Sequence, residues 1–242
     1  MTRLSINVNK IALIRNSRGT NFPNLGHFVE ELLDLGVGGI TVHPRQDQRH
    51  IKYEDVYQIS EIIKRYPHTE LNVEGYPDRQ FIDLIKDVIP AECSLVPDSP
   101  TQLTSDHGWD LTDKTVLAPV LNELRSVSTR LALFIEPNKN DAILAKQFDI
   151  DAVEIYTEYY ASRIEPKEVS DAAKAIVETC NSAEKSGLIV NAGHDLNLNN
   201  LELLLSQCKI HEVSIGHAFT FECIQYGVKE VVKRYQEICN KY

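Results

Sequence analysis

Short apolar runs recur along the chain, and within each run the polar residues fall on alternate positions. SINVN carries Asn7 and Asn9, ITVHPR carries Thr41 and His43, and LNVEG carries Asn72 and Glu74. Further on, AVEIYTE carries Glu154 and Tyr156, LIVNAGH carries Asn191, and VSIGH carries Ser214 and Gly216. Successive strand residues point to opposite faces, so each polar set shares one face and the Ile, Val and Leu share the other. Eight strands are predicted, at about residues 4–9, 39–43, 70–74, 92–96, 130–135, 151–156, 187–191 and 212–216. If they close into a barrel, the polar face lines the interior. The last polar member of each set then sits at one rim, where parallel barrels build their active sites.

Between the strands the hydrophobic period changes to that of helices. NLGHFVEELLDLG (24–36) has a helical stripe and a Gly stop, while YEDVYQISEIIKRYP (53–67) and DRQFIDLIKDVIP (78–90) end at prolines. KTVLAPVLNELRS (114–126) carries Pro119, which should kink the helix or delay its start. DAILAKQFD, SDAAKAIVETCNSAEKSG and NLNNLELLLSQC follow, and a last helix at about 219–240 runs through Gly227. The strand–helix period averages about 30 residues, the size of a βαβ unit. Eight units fill the chain, no linker divides it, and a TIM (β/α)8 barrel in one domain over residues 1–242 is expected. An open doubly wound sheet is the alternative fold. It calls for a Gly-rich loop after the first strand, and NVNKIALIRNSRG is not GxGxxG.

Composition narrows the function. The 242 residues are 43% hydrophobic and 25% charged, those of a globular protein with a sizeable core. The formal net charge of −10 argues against nucleic acid or an anionic membrane as partner. No run approaches the roughly 18 apolar residues of a membrane span, and the first residues lack a signal-peptide stretch. Five scattered cysteines with no CxxC spacing fit reduced thiols, so a cytoplasmic location is expected.

A barrel interior is ordinarily filled by Val, Ile and Leu, and an inward Asn or Glu is costly unless paired or solvated. One such residue reads as a satisfied structural group. Several in one phase read as a solvated, functional rim. His43, before Pro44, is a candidate acid or base, and Arg45 two residues on offers a fork suited to phosphate. Taken alone, that loop is equally a solvated charged surface. Glu74 on the adjacent strand would complete an acid/base pair, and Glu154 across the barrel could stabilise a developing cation. Gly193–His194 and Gly216–His217 end strands seven and eight, where barrels often form a phosphate cradle from backbone N–H groups. His43, Glu74, His194 and His217 could instead ligate a metal. The chain has no HExxH and no inward Asp at a strand end, so no metal is expected. By alternation Lys10 faces away from the interior unless the first strand has already ended. Tyr156, Tyr159 and Tyr160 read as packing or rim residues, and His27, His68, His107 and His211 as surface or loop residues.

These segments, with NVNKIALIRNSRG, GITVHPRQDQRHI, SLVPD, TQLTSDHGW, VNAGHDL and EVSIGHA, resemble the pyridoxine 5′-phosphate synthase family of deoxyxylulose-dependent vitamin B6 biosynthesis. The resemblance runs from about residue 7 to 218. It implies a TIM barrel with extra helical elements, assembled as a homo-octamer. It also implies a ring-closing transferase that condenses 3-amino-2-oxopropyl phosphate with 1-deoxy-D-xylulose 5-phosphate, releasing phosphate and water, with no cofactor. By the same resemblance His43 and Glu74 accept protons, His194 donates one, and Glu154 stabilises the transition state. Asn7, Arg18, the backbone at Asp195, Gly216 and His217 would bind the amino ketone phosphate. Asn9, Lys10, Arg45, His50 and Thr104 would meet the deoxyxylulose phosphate. The chain departs from the family pattern in two places. Asn9–Lys10 replaces a common Asp-His, and Asp195 stands where a Gly often follows the catalytic His. A metal-dependent sugar-phosphate epimerase or isomerase on the same barrel is the alternative activity.

Overall fold

The structure is a computed structural model that describes residues 1–242. Eight strands form it: β1 (Arg3–Asn7), β2 (Gly39–Val42), β3 (Glu70–Gly75), β4 (Glu92–Leu95), β5 (Arg130–Ile135), β6 (Ala152–Tyr156), β7 (Ile189–Gly193) and β8 (Glu212–Ile215). Each pairs in parallel with its sequence neighbours, and β1 pairs with β8 to close the barrel. Around it lie α1 (Asn9–Asn16), α2 (Leu25–Asp34), α3 (Tyr53–Ile63), α4 (Arg79–Val88), α5 (Leu117–Leu124) and α6 (Lys139–Ala145). The ring continues with α7 (Glu158–Ala161), α8 (Pro166–Lys185), α9 (Leu201–Leu205), α10 (His217–Tyr226) and α11 (Val228–Cys239). No helix is long and apolar enough to cross a membrane.

Local chemistry sets several boundaries. Asn24 and Asp78 cap α2 and α4 by accepting the backbone N–H of His27 and Phe81. Pro119 falls in the first turn of α5, which therefore starts at Leu117, later than the apolar pattern alone implied. Pro166 opens α8, several residues before the predicted start. The expected last helix is two. Gly227 sits at φ +84°, a left-handed conformation incompatible with a helical turn, and separates α10 from α11. The first strand also ends early. It stops at Asn7, and Asn9 and Lys10 already belong to α1, a helix that the strand prediction over 4–9 displaced.

The alternation seen in the sequence decides what lies on each side of the sheet. Ile6, Ile40, Val42, Leu71, Val73, Leu131, Leu133, Val153, Ile155, Val213 and Ile215 are buried in one continuous apolar cluster with the helices. The opposite phase is the barrel interior, and it is polar over most of its depth. Ser5 and Thr41 share a hydroxyl–hydroxyl bond of 2.7 Å, and Ser94 donates to Asn72 at 3.1 Å. Asn191 Nδ2 donates to Glu92 at 2.7 Å. At the N-terminal floor Arg3 pairs with Glu70 at 2.5 Å and Glu212 at 3.5 Å. Arg130 bonds Glu70 and, at 3.1 Å, Glu92. The ordinary apolar filling of a barrel is thus replaced by a hydrogen-bonded polar column. Its apolar part is the small cluster of Val96, Phe134 and Tyr156 near the mouth.

Candidate active site

The strand ends converge on a cavity of about 460 Å3 at the C-terminal mouth. Its walls carry Asn7 from β1, His43 after β2, Glu74 from β3, Glu154 and Tyr156 from β6, His194 after β7, and Ser214 with Gly216 from the β8 end. Asn9, Lys10, Arg45, His50, Thr104, Asp195 and His217 complete the set predicted from sequence. Lys10 faces the cavity because the strand has ended before it. Arg18 alone among the predicted residues does not line it. It lies exposed just beyond α1. His27, His68, His107 and His211 are exposed and stand away from the mouth.

The acid/base groups are close and mostly dry. His43 Nδ1 stands 3.8 Å from Glu74 Oε2, and both residues are buried. Burial, reinforced by the charges of Asp98 and Glu212, raises the Glu74 carboxyl to about 8. Burial, then the Arg45 charge, lowers His43 well below the usual imidazole range. Both are therefore neutral at pH about 7, and the contact is not an ion pair. Glu154 is pushed up strongly by burial and by the Glu74 and Glu92 charges. His194 is lowered to about 4 by burial and Arg45, and it packs against Phe134 and Tyr156 with ring centroids 5.0 and 5.2 Å away.

Buried Glu and His act on stability in opposite directions. A carboxyl raised in the folded state costs stability as pH rises from its unfolded value, about 4, to its folded value. A histidine lowered in the folded state costs stability as pH falls from about 6.5 towards 4. Glu74 and Glu212, both near 8, act in the first sense, and His50 and His194, both near 4, in the second. The two effects oppose each other below about pH 6.5, and above it only the carboxyls act. The melting midpoint is therefore expected to fall between about pH 6.5 and 8.5, by on the order of 1–3 kcal/mol of stability per pH unit. Calorimetry across that range checks this. A flat profile would mean that the interior carboxyls are solvated.

One wall holds cations. Arg45 Nη1 donates to the Gln102 carbonyl at 3.0 Å, and Nη2 bonds Asp98. Arg49 donates to the same carbonyl at 3.2 Å and to Pro100 at 3.1 Å. These bonds tie the loop after β2 to the loop after β4. α1 supports that wall from behind. Arg15 pairs with Asp55 and Asn16 Nδ2 donates to the His50 carbonyl at 2.7 Å. Asn9 Oδ1 accepts the His43 N–H at 3.0 Å, and Asn7 Oδ1 accepts the Asn9 N–H at 3.0 Å. Asn9 thus positions His43 through an acceptor oxygen, a role an Asp in its place also supports.

The opposite wall is backbone. A Cβ on Gly216 would lie 3.1 Å from the Asn7 Cβ, and one on Gly193 would overlap the Glu154 carboxylate. His194 and Asp195 both adopt positive φ, +80° and +58°. Non-glycine residues rarely do so, and such strain collects at functional turns. Thr157 holds the turn by donating its hydroxyl to the carbonyls of Gly193 and His194, each at 2.6 Å. Asp195→Gly relieves the left-handed conformation and removes a carboxylate from the mouth. It is expected to gain about 0.5–1 kcal/mol in chemical denaturation and to tighten anion binding at this wall. Lower stability in that variant would show that the Asp195 side chain holds the turn.

Asp98, Ser105, Thr157, Glu158 and Phe134 belong to the site but were not predicted. Phe134 shares the phase of Arg130 and Ala132, so alternation could have found it. Asp98 and Thr157 act from loops, where no period applies. No group of three or more His, Cys, Asp or Glu side chains converges in a metal-holding arrangement.

A closed eight-stranded parallel barrel with paired acids and bases at its C-terminal mouth defines a TIM-barrel enzyme. The tryptophan synthase α-subunit of Pyrococcus furiosus has the same fold, with a TM-score of 0.63 at 12% identity over 99% of this chain and 97% of that one. The chain belongs to the family of the pyridoxal phosphate biosynthesis protein PdxJ, whose model matches residues 4–241. It is 40% identical over 238 residues to a pyridoxine 5′-phosphate synthase of Bacteroides fragilis, covering 98% of each chain. A pyridoxine 5′-phosphate synthase of Parabacteroides distasonis is 40% identical over 242 residues, covering 99% of this chain and 100% of that one.

Proposed function

We propose that the chain catalyses the pyridoxine 5′-phosphate synthase reaction. In it 3-amino-2-oxopropyl phosphate and 1-deoxy-D-xylulose 5-phosphate condense to pyridoxine 5′-phosphate, phosphate and water. The observation that carries the reading is the arrangement of four buried or half-buried acid/base groups between a cationic wall and a backbone wall in one cavity. Two phosphates need two cradles. Arg45, Arg49, His50 and Lys10 line the cavity and would hold one phosphate, and the turn around Asp195, Gly216 and His217 also lines it and would offer backbone N–H groups to the other. Holding both substrates by their ends converts a two-body reaction into an oriented one.

In this reading His43, neutral at pH about 7, and Glu74, in the ionised form it gains as pH rises towards 8, remove protons as the imine becomes an enamine and the ring closes. Glu154 stabilises positive charge at nitrogen, and His194 protonates a departing oxygen. Burial and Arg45 hold His194 neutral at pH about 7, so its donor role requires a proton gained as substrate binds. The two phosphate dianions would oppose the Arg45 charge and raise the imidazole pKa towards the working pH. Arg18, exposed beyond α1, and Thr104 complete the proposed contact set. The working form is proposed to be a cytoplasmic homo-octamer.

Mixing the purified protein with both substrates is expected to produce the pyridoxine chromophore, with a rate that depends on each. No product from the pair, with turnover of a single sugar phosphate once a divalent metal is added, would replace this reading by an epimerase or isomerase.

A further inference from the structure

Two of the five cysteines meet far from the mouth. Cys180, on the buried face of α8, is 1% exposed, and Cys208, in the loop between α9 and β8, is partly exposed. Their sulfurs are 3.4 Å apart, with the Cys180 thiol donating towards Cys208. A disulfide bond is about 2.05 Å long, so closure needs a relative shift of about 1.4 Å. A loop residue can supply such a shift by side-chain rotation and a small backbone adjustment. Cys93 and Cys239 are buried, and neither they nor Cys223 has a sulfur partner among the hydrogen bonds of the molecule.

We propose that Cys180 and Cys208 form a reversible, peroxide-driven disulfide, a modification site independent of the proposed condensation. Cys208 is the attacking sulfur because it reaches solvent and its thiolate accepts the Cys180 hydrogen bond, which lowers its pKa. The Cys208 thiolate displaces hydroxide from hydrogen peroxide: the S–O bond forms, the O–O bond breaks, and protonated hydroxide leaves as water. The Cys180 sulfur then attacks the sulfenic sulfur. The S–S bond forms, the S–OH bond breaks, and the departing hydroxide takes the thiol proton as a second water. Two thiols lose two electrons, and the peroxide is reduced to two waters. A dithiol reductant reverses the step.

The bond would close the segment from 180 to 208. That segment contains β7 and the strained His194–Asp195 turn. Cross-linking a loop of this length restricts the unfolded chain, and the melting midpoint should rise by on the order of 5–10 °C.

The test treats reduced protein with graded hydrogen peroxide. It reads intact mass, a non-reducing peptide map and the melting midpoint. Expected are the loss of two thiols, a peptide joining Cys180 to Cys208, a higher melting midpoint, and reversal by dithiothreitol. Cys208→Ser should abolish both the cross-link and the melting shift. Cys180→Ser should leave a sulfenic acid on Cys208 that a sulfenic-selective probe traps. The proposal falls if peroxide sufficient to oxidise Cys223 yields no Cys180–Cys208 peptide, or if Cys208 proceeds to sulfinic acid without cross-linking.

Discussion

Glu74→Gln is expected to lower kcat by about 10²–10⁴-fold, to leave both KM values within a few-fold, and to raise the melting midpoint at pH about 8. The first effect follows from place. Glu74 lies next to the end of β3, faces the cavity, and stands 3.8 Å from His43. Glutamine keeps the shape but cannot take a proton. The second effect follows from the same burial. The carboxyl, raised to about 8, resists ionisation because Asp98 and Glu212 repel it and little water reaches it. At alkaline pH the folded chain must hold that charge, whereas the unfolded chain ionises without penalty. The neutral amide escapes the cost. The gain should be about 1–3 kcal/mol at pH about 8.5 and should shrink to about a few tenths of a kcal/mol near pH 4, where the unfolded carboxyl is largely protonated too. Steady-state kinetics and melting curves at the two pH values check both parts. Normal turnover would remove Glu74 from the mechanism. An equal stabilisation at both pH values would assign it to packing.

Arg130→Leu is expected to destabilise the barrel by about 2–4 kcal/mol, read as a lower urea midpoint. Arg130 neutralises Glu70 and Glu92 at the floor of the interior. Glu92 is 2% exposed, and without Arg130 its remaining contact is the amide of Asn191. A buried carboxylate without a cation is costly, although the Arg130 side chain keeps 28% of its exposure and solvent softens the loss. Glu92 is already pushed up by burial, so it protonates readily once Arg130 is gone. The deficit should therefore shrink from pH about 8 to pH about 5. A deficit independent of pH would mean that leucine fails to pack rather than that charge is lost.

Most of the architecture was legible in the alternation. The runs around Asn72, Glu74, Glu154 and Asn191 marked strands and also their inward faces, because the side-chain period of a strand is two whatever surrounds it. Asn9 was misplaced for the same reason. An Asn-x-Asn spacing continues the strand period, while Asn7 in fact bonds the Asn9 N–H and turns the chain into α1. Gly227 was passed over because its helical stripe continues across it, yet its positive φ breaks the helix.

The site divides along a similar line. His43, Glu74 and Glu154 were found on strands by their phase and His194 by the Gly193–His194 end of strand seven, and the family resemblance gave them roles. Asp98 and Thr157 were not found, because each acts on a residue more than thirty positions away through a loop without period. Glu92 and Glu212 carried the inward phase in ECSL and EVSI, but nothing local said that Arg3 and Arg130 would meet them.

By itself the sequence determined the period of each strand, the face on which its polar groups lie, and the family to which those groups point. These are local properties, set by backbone geometry and by the identity of each side chain. Closure and register decided the rest. They put His43 beside Glu74, overlaid Gly193 on Glu154, and stacked the interior carboxyls above the floor arginines. Those neighbours set how far each acid and base is displaced from its ordinary pKa. Desolvation and Coulomb interactions depend on distance in space, and distance along the chain does not report it.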